Sequence, residues 1–373
     1  MKHIVILSNR ASSLINFRAH TIKRLVALNY KTYVLAPDFN FKYKEQLKLL
    51  GAHPVSCPMH SVGLNPFKDF FNTIELFFIL KKIKPDIFFS FTIKPVIFGN
   101  IAAFLAGIPK CISLIEGLGY VFIKNPKEGM LKVFLRFFIS VLYKLALKIP
   151  KKVIFLNSAD KELFVNNNLV DSYKTDILNG IGVDLNFWAP RDRIKKSITF
   201  VLVARLLYDK GIVEFVEAAR IIKARFKNVN FVLVGGLDFN PSAIDKKTVL
   251  KWVDEGLIKW EGHVPSAKSI LSRASVFVLP SYREGLPLSI QEAMAMGMPI
   301  ITSDAPGCID TVIHKKNGFI VPVRNPKALA AAMTHFINNP KLIKLMGDRS
   351  RRLAEKWFDI NMSTDKLVNL ILG

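Results

Sequence analysis

Two glutamates, Glu284 and Glu292, lie eight residues apart in a segment that begins as a predicted strand and continues as a helix. The strand is expected at Val276–Pro280, and Pro287 suits the first turn of the helix. Glu284 therefore stands just before the helix, and Glu292 sits about two turns into it. The N–H groups at a helix start favour anions, so the segment predicts a phosphate site beside carboxylates that accept hydrogen bonds from sugar hydroxyls.

Two cations, Arg205 and Lys210, stand where another predicted strand and helix meet. The strand is expected at Ile198–Ala204, and Lys210 with Gly211 opens the helix. Two positive side chains about one turn apart suit a diphosphate, because guanidinium and ammonium groups make charge-assisted bonds to phosphate oxygens. The alternative is a pair of solvated surface charges.

A pair of glycines, Gly235 and Gly236, ends a further strand in the segment Leu233–Asp238. Glycine lets a ligand approach the backbone closely, although this signal is weak alone. The sequence contains neither a G-x-G-x-x-G nor a Walker A motif. Its three cysteines are far apart and have no metal-ligand spacing, which predicts reduced, buried thiols and no metal site.

These residues follow strands in a chain whose pattern alternates between strand and helix. Short apolar runs separated by amphipathic stretches are typical of parallel sheets covered on both faces. In the first half, strands are expected within His3–Ser8, Lys31–Pro37, His53–Pro58, Asp86–Phe91, Cys111–Glu116 and Lys152–Asn157. In the second half, they are expected within Ile198–Ala204, Asn230–Gly236, Leu257–Gly262, Val276–Pro280, Pro299–Asp304 and Gly318–Pro322.

A polar, charged hinge at residues 189–196 separates the two halves. The chain has 373 residues, a length that suits two domains. The predicted fold class is therefore α/β, with two doubly wound, Rossmann-like domains at residues 1–190 and 191–355. Ligands of such sheets bind at the carboxyl ends of the strands, where the glutamates and cations described above are expected.

The charge of the chain favours anionic partners. The formal net charge is +24, and ten of the 29 phenylalanines fall between Phe67 and Phe104. A basic surface attracts nucleic acid, anionic lipid or phosphorylated ligands. The concentration of phenylalanine favours a membrane surface over a nucleic-acid groove. No apolar run is long enough to predict a transmembrane helix.

One segment, residues 125–152, breaks the alternation with a long helical pattern. From Lys124 to Lys152 eight basic residues face one acid, which gives a net charge of +7. An apolar stripe along this helix comprises Leu131, Phe134, Leu135, Phe138, Leu142, Leu145 and Ala146. We expect a helix that lies on an anionic membrane surface. The alternative is an ordinary packed helix with a solvated basic face.

The second half resembles the retaining family 4 glycosyltransferases, which have a GT-B fold with two Rossmann-like domains facing a central cleft. The matching segments are Val203–Gly211, Leu233–Asp238, Ala274–Asp304 and Asn317–Met333. The resemblance implies that residues 356–373 return to the first domain.

The resemblance also implies roles for single residues. Arg205 and Lys210 would hold the nucleotide diphosphate, and with Glu284, which would contact the donor sugar, they form the expected catalytic set. Glu292 would bind the ribose. The remaining implied donor contacts are Gly235, Gly236, Gly285, Leu286, Pro287 and Leu288. The family needs no catalytic metal, and no acidic D-x-D triplet is evident here.

The first half is similar to a narrower group, which adds sugars to polyprenyl-diphosphate-linked oligosaccharides. The matching segments are Ser12–Arg18, Ser61–Phe67, Phe91–Ala103 and Ile115–Phe122. The implied acceptor-binding residues are Asn16, Arg18, Lys94, Glu116, Gly117 and Gly119. Two departures stand out: no glycine-rich turn follows the first strand, and Thr92-Ile93-Lys94 occupies the place where many members carry a histidine.

Together these features predict a retaining, metal-independent glycosyltransferase without a cofactor. It would move an N-acetylhexosamine or hexose from a UDP-sugar onto a polyprenyl-diphosphate-linked saccharide. The protein would be cytoplasmic, peripheral on the inner face of the plasma membrane through residues 125–152, and would bind no nucleic acid. A sugar-nucleotide epimerase on the same fold and a basic nucleic-acid-binding protein are the alternatives.

Overall fold

A computed structural model describes residues 1–59, 65–123, 128–190, 197–238 and 240–373. Two compact units make up the chain: Met1–Ile181 with Asn361–Gly373, and Gly182–Ile360. The sequence places the first boundary at 190/191, whereas the second unit already begins at Gly182. The backbone N–H of Val183 donates to the carbonyl of Phe358 (2.8 Å), which ties this stretch to the end of the second unit.

Three predicted features fall partly outside the described residues. They are residues 61–64 of the Ser61–Phe67 motif, residues 124–127 at the start of the basic segment, and residues 191–196 of the hinge.

The first unit contains a seven-stranded sheet in the order β3-β2-β1-β4-β5-β6-β7. The strands are β1 His3–Leu7, β2 Lys31–Ala36, β3 His53–Ser56, β4 Ile87–Phe91, β5 Lys110–Ile115, β6 Lys152–Phe155 and β7 Thr175–Ile177. Neighbouring strands are parallel throughout. The chain runs outward from β1 to β3 and then returns beside β1 as β4, so the strand order reverses between β1 and β4.

Within the described part of the chain, six α-helices accompany these strands before the chain leaves the first unit. They are α1 Ala11–Ala27, α2 Phe41–Leu49, α3 Pro66–Ile83, α4 Asn100–Leu105, α5 Met130–Ala146 and α6 Ser158–Asn166. The side chain of Asn65 caps α3 by accepting from the N–H of Lys68 (3.1 Å). A π-helical turn, Pro95–Gly99, leads directly into α4. Every residue of β4 is buried, as expected for a strand covered on both faces.

The second unit contains a six-stranded parallel sheet in the order β10-β9-β8-β11-β12-β13. The strands are β8 Ile198–Val203, β9 Val229–Val234, β10 Lys259–Trp260, β11 Val276–Leu279, β12 Ile300–Ser303 and β13 Gly318–Val321. The helices are α7 Ile212–Arg225, α8 Lys246–Asp254, α9 Lys268–Leu271, α10 Leu288–Ala295, α11 Pro326–Asn338 and α12 Lys341–Trp357. Here the strand order reverses between β8 and β11.

The last helix, α13 Ile360–Leu372, packs on the first unit. Lys110 donates to the carbonyl of Leu372 (2.6 Å), and Arg24 donates to Asp365 (3.0 Å). From the sequence we expect this return to begin at residue 356. In the structure the second unit ends at Ile360, and the chain rejoins the first unit at Asn361.

Among the described residues, no helix combines the length and the apolar character that crossing a bilayer requires.

Candidate functional site

The central feature of the second unit is an ion pair between Lys210 and Glu284. Lys210 ends the loop after β8, and Glu284 lies in the loop after β11, so the two side chains come from neighbouring strands at the point where the strand order reverses. The ammonium lies 2.6 Å from Glu284 Oε1, and each side chain is only 15% exposed. Ser281 Oγ also donates to Glu284 Oε1 (2.7 Å). Two predicted residues from distant parts of the sequence therefore meet at one sheet edge.

Backbone contacts hold these two loops together. The carbonyl of Asp209 accepts from the N–H of Tyr282 (2.8 Å) and from Ser281 Oγ (3.1 Å). The N–H of Glu284 donates to the carbonyl of Pro306 in the loop after β12 (3.0 Å). The position of Glu284 is thus set by three strands and does not depend on its own loop alone.

The helix start beside Glu284 is α10. It begins at Leu288, with Pro287 in the N-cap position and no side chain capping the first turn. Gln291, which is fully buried, donates to the carbonyl of Leu286 (3.2 Å) and accepts from the N–H of Gly182 (3.2 Å). Gly285, Leu286 and Pro287 are buried and Leu288 is partly exposed. The loop is therefore held rigidly and presents a helix N-terminus, which suits a phosphate group.

Glu292 occupies the first half of α10 in a strongly desolvated environment. Burial disfavours the charged form and raises the pKa of Glu292 to about 8. Its side chain still retains some solvent access. The raised pKa favours the neutral carboxyl near pH 7, and the side chain is reachable by a ligand. This fits the predicted contact with the ribose diol, because a neutral carboxyl both donates and accepts a hydrogen bond.

Arg205 occupies a more open position than the sequence suggests. Its guanidinium donates to Asp238 (3.1 Å), and its side chain is 57% exposed. The two expected phosphate-binding cations therefore differ: Lys210 is enclosed beside Glu284, whereas Arg205 lies at the surface with Asp238 as partner.

Close contacts within the protein favour glycine at both positions of the glycine pair, Gly235 and Gly236. Gly235 has φ +156°, and a Cβ atom there would clash with the carbonyl oxygen of Ala204. A Cβ on Gly236 would lie 3.2 Å from Cβ of His263. These contacts give the two glycines a structural reason, and the expected donor contact at Gly235 and Gly236 stays a prediction.

Sequence reasoning missed Gly307, which supports the Glu284 loop from behind. It has φ +77°, and a Cβ atom there would strike the carbonyl oxygens of Glu284 and Gly285. Only a close approach of two backbones explains this requirement. The signal in the sequence is a single glycine after a strand, which alone predicts a turn and no more.

In the first unit, the predicted acceptor residues Arg18 and Glu116 form a buried ion pair. Arg18 on α1 is 1% exposed, donates to Glu116 Oε1 and lies over the ring of Phe91 (4.7 Å to the centroid). Burial lowers the pKa of Arg18 and raises the pKa of Glu116, and the attraction between them opposes both effects. Arg18 is therefore a buried, paired charge and not a solvated surface group.

Lys94 is buried as well, and it is paired with Asp69. The ammonium lies 2.7 Å from Asp69 Oδ1, with side-chain exposures of 8% and 3%. Thr92, two residues earlier, has φ +70°, and its buried hydroxyl makes no hydrogen bond with the described residues. A β-branched residue with positive φ is strained, and such strain concentrates at functional sites.

The remaining predicted acceptor residues lie nearby in sequence but differ in setting. Asn16 is exposed on α1. Gly117 and Gly119 have φ values of +156° and +72° and flank Leu118, which is buried. The turn after β5 thus requires glycine conformations around one anchored leucine, with Glu116 at its start.

Helix α5 exposes only part of the predicted stripe. Leu135 and Leu142 are partly buried and Ala146 is fully buried, since they pack on the core of the first unit, and Phe138 is partly buried. The exposed face comprises Met130, Leu131, Val133, Phe134, Phe137, Val141 and Leu145. Two of its basic residues are engaged: Lys132 donates to the carbonyl of Ile123 (2.6 Å), and Arg136 pairs with Glu128.

Exposed apolar side chains cluster on three helices of the first unit. Of the 27 large apolar side chains that are exposed among the described residues, 14 belong to α3, α4 and α5. Soluble surfaces seldom concentrate apolar groups in this way, which marks the three helices as a contact region. We call it the apolar face of α3–α5.

The described residues contain no group of three or more His, Cys, Asp or Glu side chains that could hold a metal ion. Cys57, Cys111 and Cys308 are buried free thiols, and burial raises the pKa of each to about 12.

A pair of doubly wound parallel sheets, with an ion pair and a helix start at the reversal point of the second sheet, defines the class of a GT-B glycosyltransferase. The family model for glycosyl transferases group 1 matches residues 187–353, and the glycosyl transferase 4-like model matches residues 4–157. The chain belongs to this glycosyltransferase family, and the epimerase alternative is therefore wrong.

Two curated relatives span nearly the same length. The chain is 32% identical over 350 residues to the N,N'-diacetylbacillosaminyl-diphospho-undecaprenol alpha-1,3-N-acetylgalactosaminyltransferase of Campylobacter jejuni, covering 90% of this chain and 89% of the relative. It is 29% identical over 325 residues to the UDP-Gal:alpha-D-GlcNAc-diphosphoundecaprenol alpha-1,3-galactosyltransferase of Escherichia coli, covering 83% and 81%.

Solved structures share the fold at low identity. Sucrose-phosphate synthase from Thermosynechococcus elongatus superposes with a TM-score of 0.80 at 18% identity, covering 99% of this chain and 98% of that chain. Anabaena HepE in complex with UDP and glucose superposes with a TM-score of 0.76 at 16% identity, covering 99% of both chains. The GT-B fold predicted from the sequence is confirmed.

Proposed function

We propose that this glycosyltransferase moves an N-acetylhexosamine or a hexose from a UDP-sugar onto a polyprenyl-diphosphate-linked saccharide, with retention at the anomeric carbon. The enclosed Lys210–Glu284 pair beside the start of α10 carries the donor half of the proposal. The acceptor half is supported by the two relatives described above, which act on undecaprenyl-diphosphate-linked sugars.

In the proposed donor complex, the diphosphate lies at the start of α10. The helix N-terminus and Lys210 stabilise the negative charge that grows on the leaving phosphate, and Arg205 contributes from its exposed position. Glu284, held by Lys210 and Ser281, accepts hydrogen bonds from donor-sugar hydroxyls. Glu292 contacts the ribose.

Retention follows a front-face route. The bond from the anomeric carbon to the diphosphate oxygen breaks, and the acceptor hydroxyl oxygen bonds to the same face of that carbon. The proton of the acceptor hydroxyl passes to the departing phosphate oxygen. UDP therefore leaves with this proton, and the charges of reactants and products balance. No metal ion and no cofactor takes part, because positive groups of the chain itself stabilise the diphosphate.

The acceptor contacts are assigned to the first unit. Arg18 with Glu116, and Lys94 with Asp69, place two buried charge pairs near the ends of β4 and β5. Such pairs are costly to bury, which supports a role in binding the acceptor's sugar and diphosphate groups. Asn16, Gly117 and Gly119 complete this proposed site.

The apolar face of α3–α5 is proposed to dock on the inner leaflet of the plasma membrane. Exposed aromatic and aliphatic groups insert at the headgroup boundary, and the basic residues of the chain are attracted to anionic lipid, with about 1 kcal/mol for each one near the surface. We expect flotation with anionic vesicles that salt reduces but does not abolish. Flotation unchanged by Phe134→Ser with Phe137→Ser would contradict the docking.

The transfer itself is tested with a panel of nucleotide sugars and a polyprenyl-diphosphate-linked N-acetylhexosamine, followed by mass spectrometry. One UDP-sugar should give a product heavier by one sugar residue. The control is the same saccharide without the lipid diphosphate, which should react poorly. Release of free sugar with no lipid-linked product from any donor would overturn the proposal.

A further inference from the structure

The first unit contains an apolar groove within the apolar face of α3–α5. Its volume is about 600 Å³, and its walls come from α3, from the π-helical turn and α4, and from α5. The aromatic side chains that line it are Phe70, Phe77, Phe78, Phe98 and Phe138. This volume lies within the range of small-molecule sites, about 300–1,000 Å³.

One end of the groove is polar. Asp69, the charged residue among those that line it, is paired with Lys94 (2.7 Å) and accepts from the N–H of Asn65 (3.3 Å). Thr73, which also lines the groove, donates its hydroxyl to the carbonyl of Asp69 (2.6 Å). The polar groups of the groove are thus internally satisfied, and the rest of its wall is hydrocarbon.

The polar end coincides with the proposed acceptor contacts. Lys94 follows β4, and Phe91, the last residue of β4, carries the guanidinium of Arg18 over its ring. From Asp69 to Phe78 the groove runs nine residues along α3, a length of about 13–14 Å at 1.5 Å per residue. That length fits a short stretch of hydrocarbon that begins at an anionic head.

We propose that this groove binds the isoprenoid units of the acceptor that lie next to its diphosphate, while the rest of the polyprenyl chain stays in the bilayer. The inference rests on the proposed function, since it takes the acceptor to be a polyprenyl diphosphate. An anionic head suits a chain whose net charge is +24, and an apolar tail suits the groove wall. Binding the first units would position the diphosphate beside Lys94 and the N-terminus of α3.

The test uses a soluble prenyl diphosphate without any membrane. Farnesyl diphosphate is titrated into the full chain by calorimetry, with inorganic diphosphate and dodecyl phosphate as comparison ligands. We expect farnesyl diphosphate to bind about tenfold or more tightly than inorganic diphosphate, and more tightly than dodecyl phosphate. Equal affinity for farnesyl diphosphate and inorganic diphosphate would overturn the proposal, because it would show that no site binds the tail. Tighter binding of dodecyl phosphate would also overturn it, because the groove would then be a site for acyl chains.

The chain offers a matched pair of variants. Phe78 and Phe71 both lie on α3 and are 64% and 65% exposed, but Phe78 lines the groove and Phe71 does not. Phe78→Ala should weaken farnesyl diphosphate binding about fivefold, and Phe71→Ala should change it less than about twofold. A second variant, Ile101→Trp, fills the groove from α4 and should have the larger effect. Equal effects of Phe78→Ala and Phe71→Ala would refute the groove.

Two further measurements separate this inference from the proposed function. UDP titration should be normal in Ile101→Trp, whereas the KM for an acceptor that carries the first isoprenoid units should rise. If wild-type protein uses UDP-sugars but its acceptor KM is the same with farnesyl and with methyl in place of the polyprenyl chain, only the groove proposal fails. If sedimentation shows that Phe78→Ala abolishes a dimer without affecting prenyl binding, a second copy of the chain is the occupant and the proposal fails as well.

Discussion

Replacing Glu292 with glutamine should stabilise the second unit with little change in UDP binding. Burial raises the pKa of Glu292 from 4.5 to about 8. The folded protein therefore keeps a proton that the unfolded chain loses above pH 4.5, so the free energy of unfolding falls as the pH rises from 4.5 to 8. At about 1.4 kcal/mol per pKa unit, burial of Glu292 lowers the free energy of unfolding by about 3 kcal/mol near pH 7 and by about 5 kcal/mol above pH 8. Glutamine does not titrate and avoids the cost.

The assay is urea unfolding followed by tryptophan fluorescence at pH 5, 7 and 9. The four tryptophans, Trp188, Trp252, Trp260 and Trp357, all lie in the second unit, so their fluorescence reports that unit alone. Glu292→Gln should match wild type at pH 5 and exceed it increasingly at pH 7 and pH 9. UDP affinity at pH 7 should change less than about threefold, because the glutamine amide donates and accepts hydrogen bonds as the neutral carboxyl does. Glu217→Gln, at an exposed position on α7, is the control and should change neither. Equal stability of variant and wild type at pH 9 would show that Glu292 is not desolvated.

Three further predictions concern the same site. Glu284→Gln should reduce turnover about 10²-fold with the fold intact, because its Oε1 is held by Lys210 and Ser281 in a fixed position, and near-normal turnover would remove it from the site. Lys210→Ala and Arg205→Ala should each weaken UDP binding, with the larger loss for the enclosed Lys210. Unchanged UDP affinity in both variants would show that the diphosphate binds at another place. Gly307→Ala should lower turnover by displacing the Glu284–Gly285 backbone while circular dichroism stays near wild type, and full activity would mean that the loop tolerates the added Cβ.

The sequence predicts the alternation of strands and helices well, because apolar runs and their periods depend on local residue order. The strand β7, Thr175–Ile177, was not predicted: it has three residues, all partly exposed, and only its pairing with β6 defines it. Likewise, the boundary between the two units near Gly182 depends on the hydrogen bond from the N–H of Val183 to the carbonyl of Phe358. Local sequence patterns cannot predict such a contact between distant residues.

The candidate site, like the fold, was predicted from the sequence only in part. The types and spacing of Glu284, Glu292 and Lys210 predict a phosphate and sugar site at strand ends, and the fold brings Lys210 and Glu284 together. The partners of Arg18 and Lys94 could not be predicted, since Glu116 and Asp69 come from distant segments. The predicted apolar stripe of α5 is exposed only in part, because helical periodicity gives overlapping candidate faces and only the packed core decides which residues are covered.

The most direct test of the central claim is the anomeric configuration of the product, measured by NMR during transfer from a ¹³C-labelled UDP-sugar to a polyprenyl-diphosphate-linked acceptor in the presence of EDTA. We expect a lipid-linked product with the same α configuration as the donor, formed at an undiminished rate without divalent metal. A β-linked product would contradict the front-face route, and activity that is lost with EDTA and restored by Mg²⁺ or Mn²⁺ would contradict a diphosphate site made of Lys210, Arg205 and the start of α10.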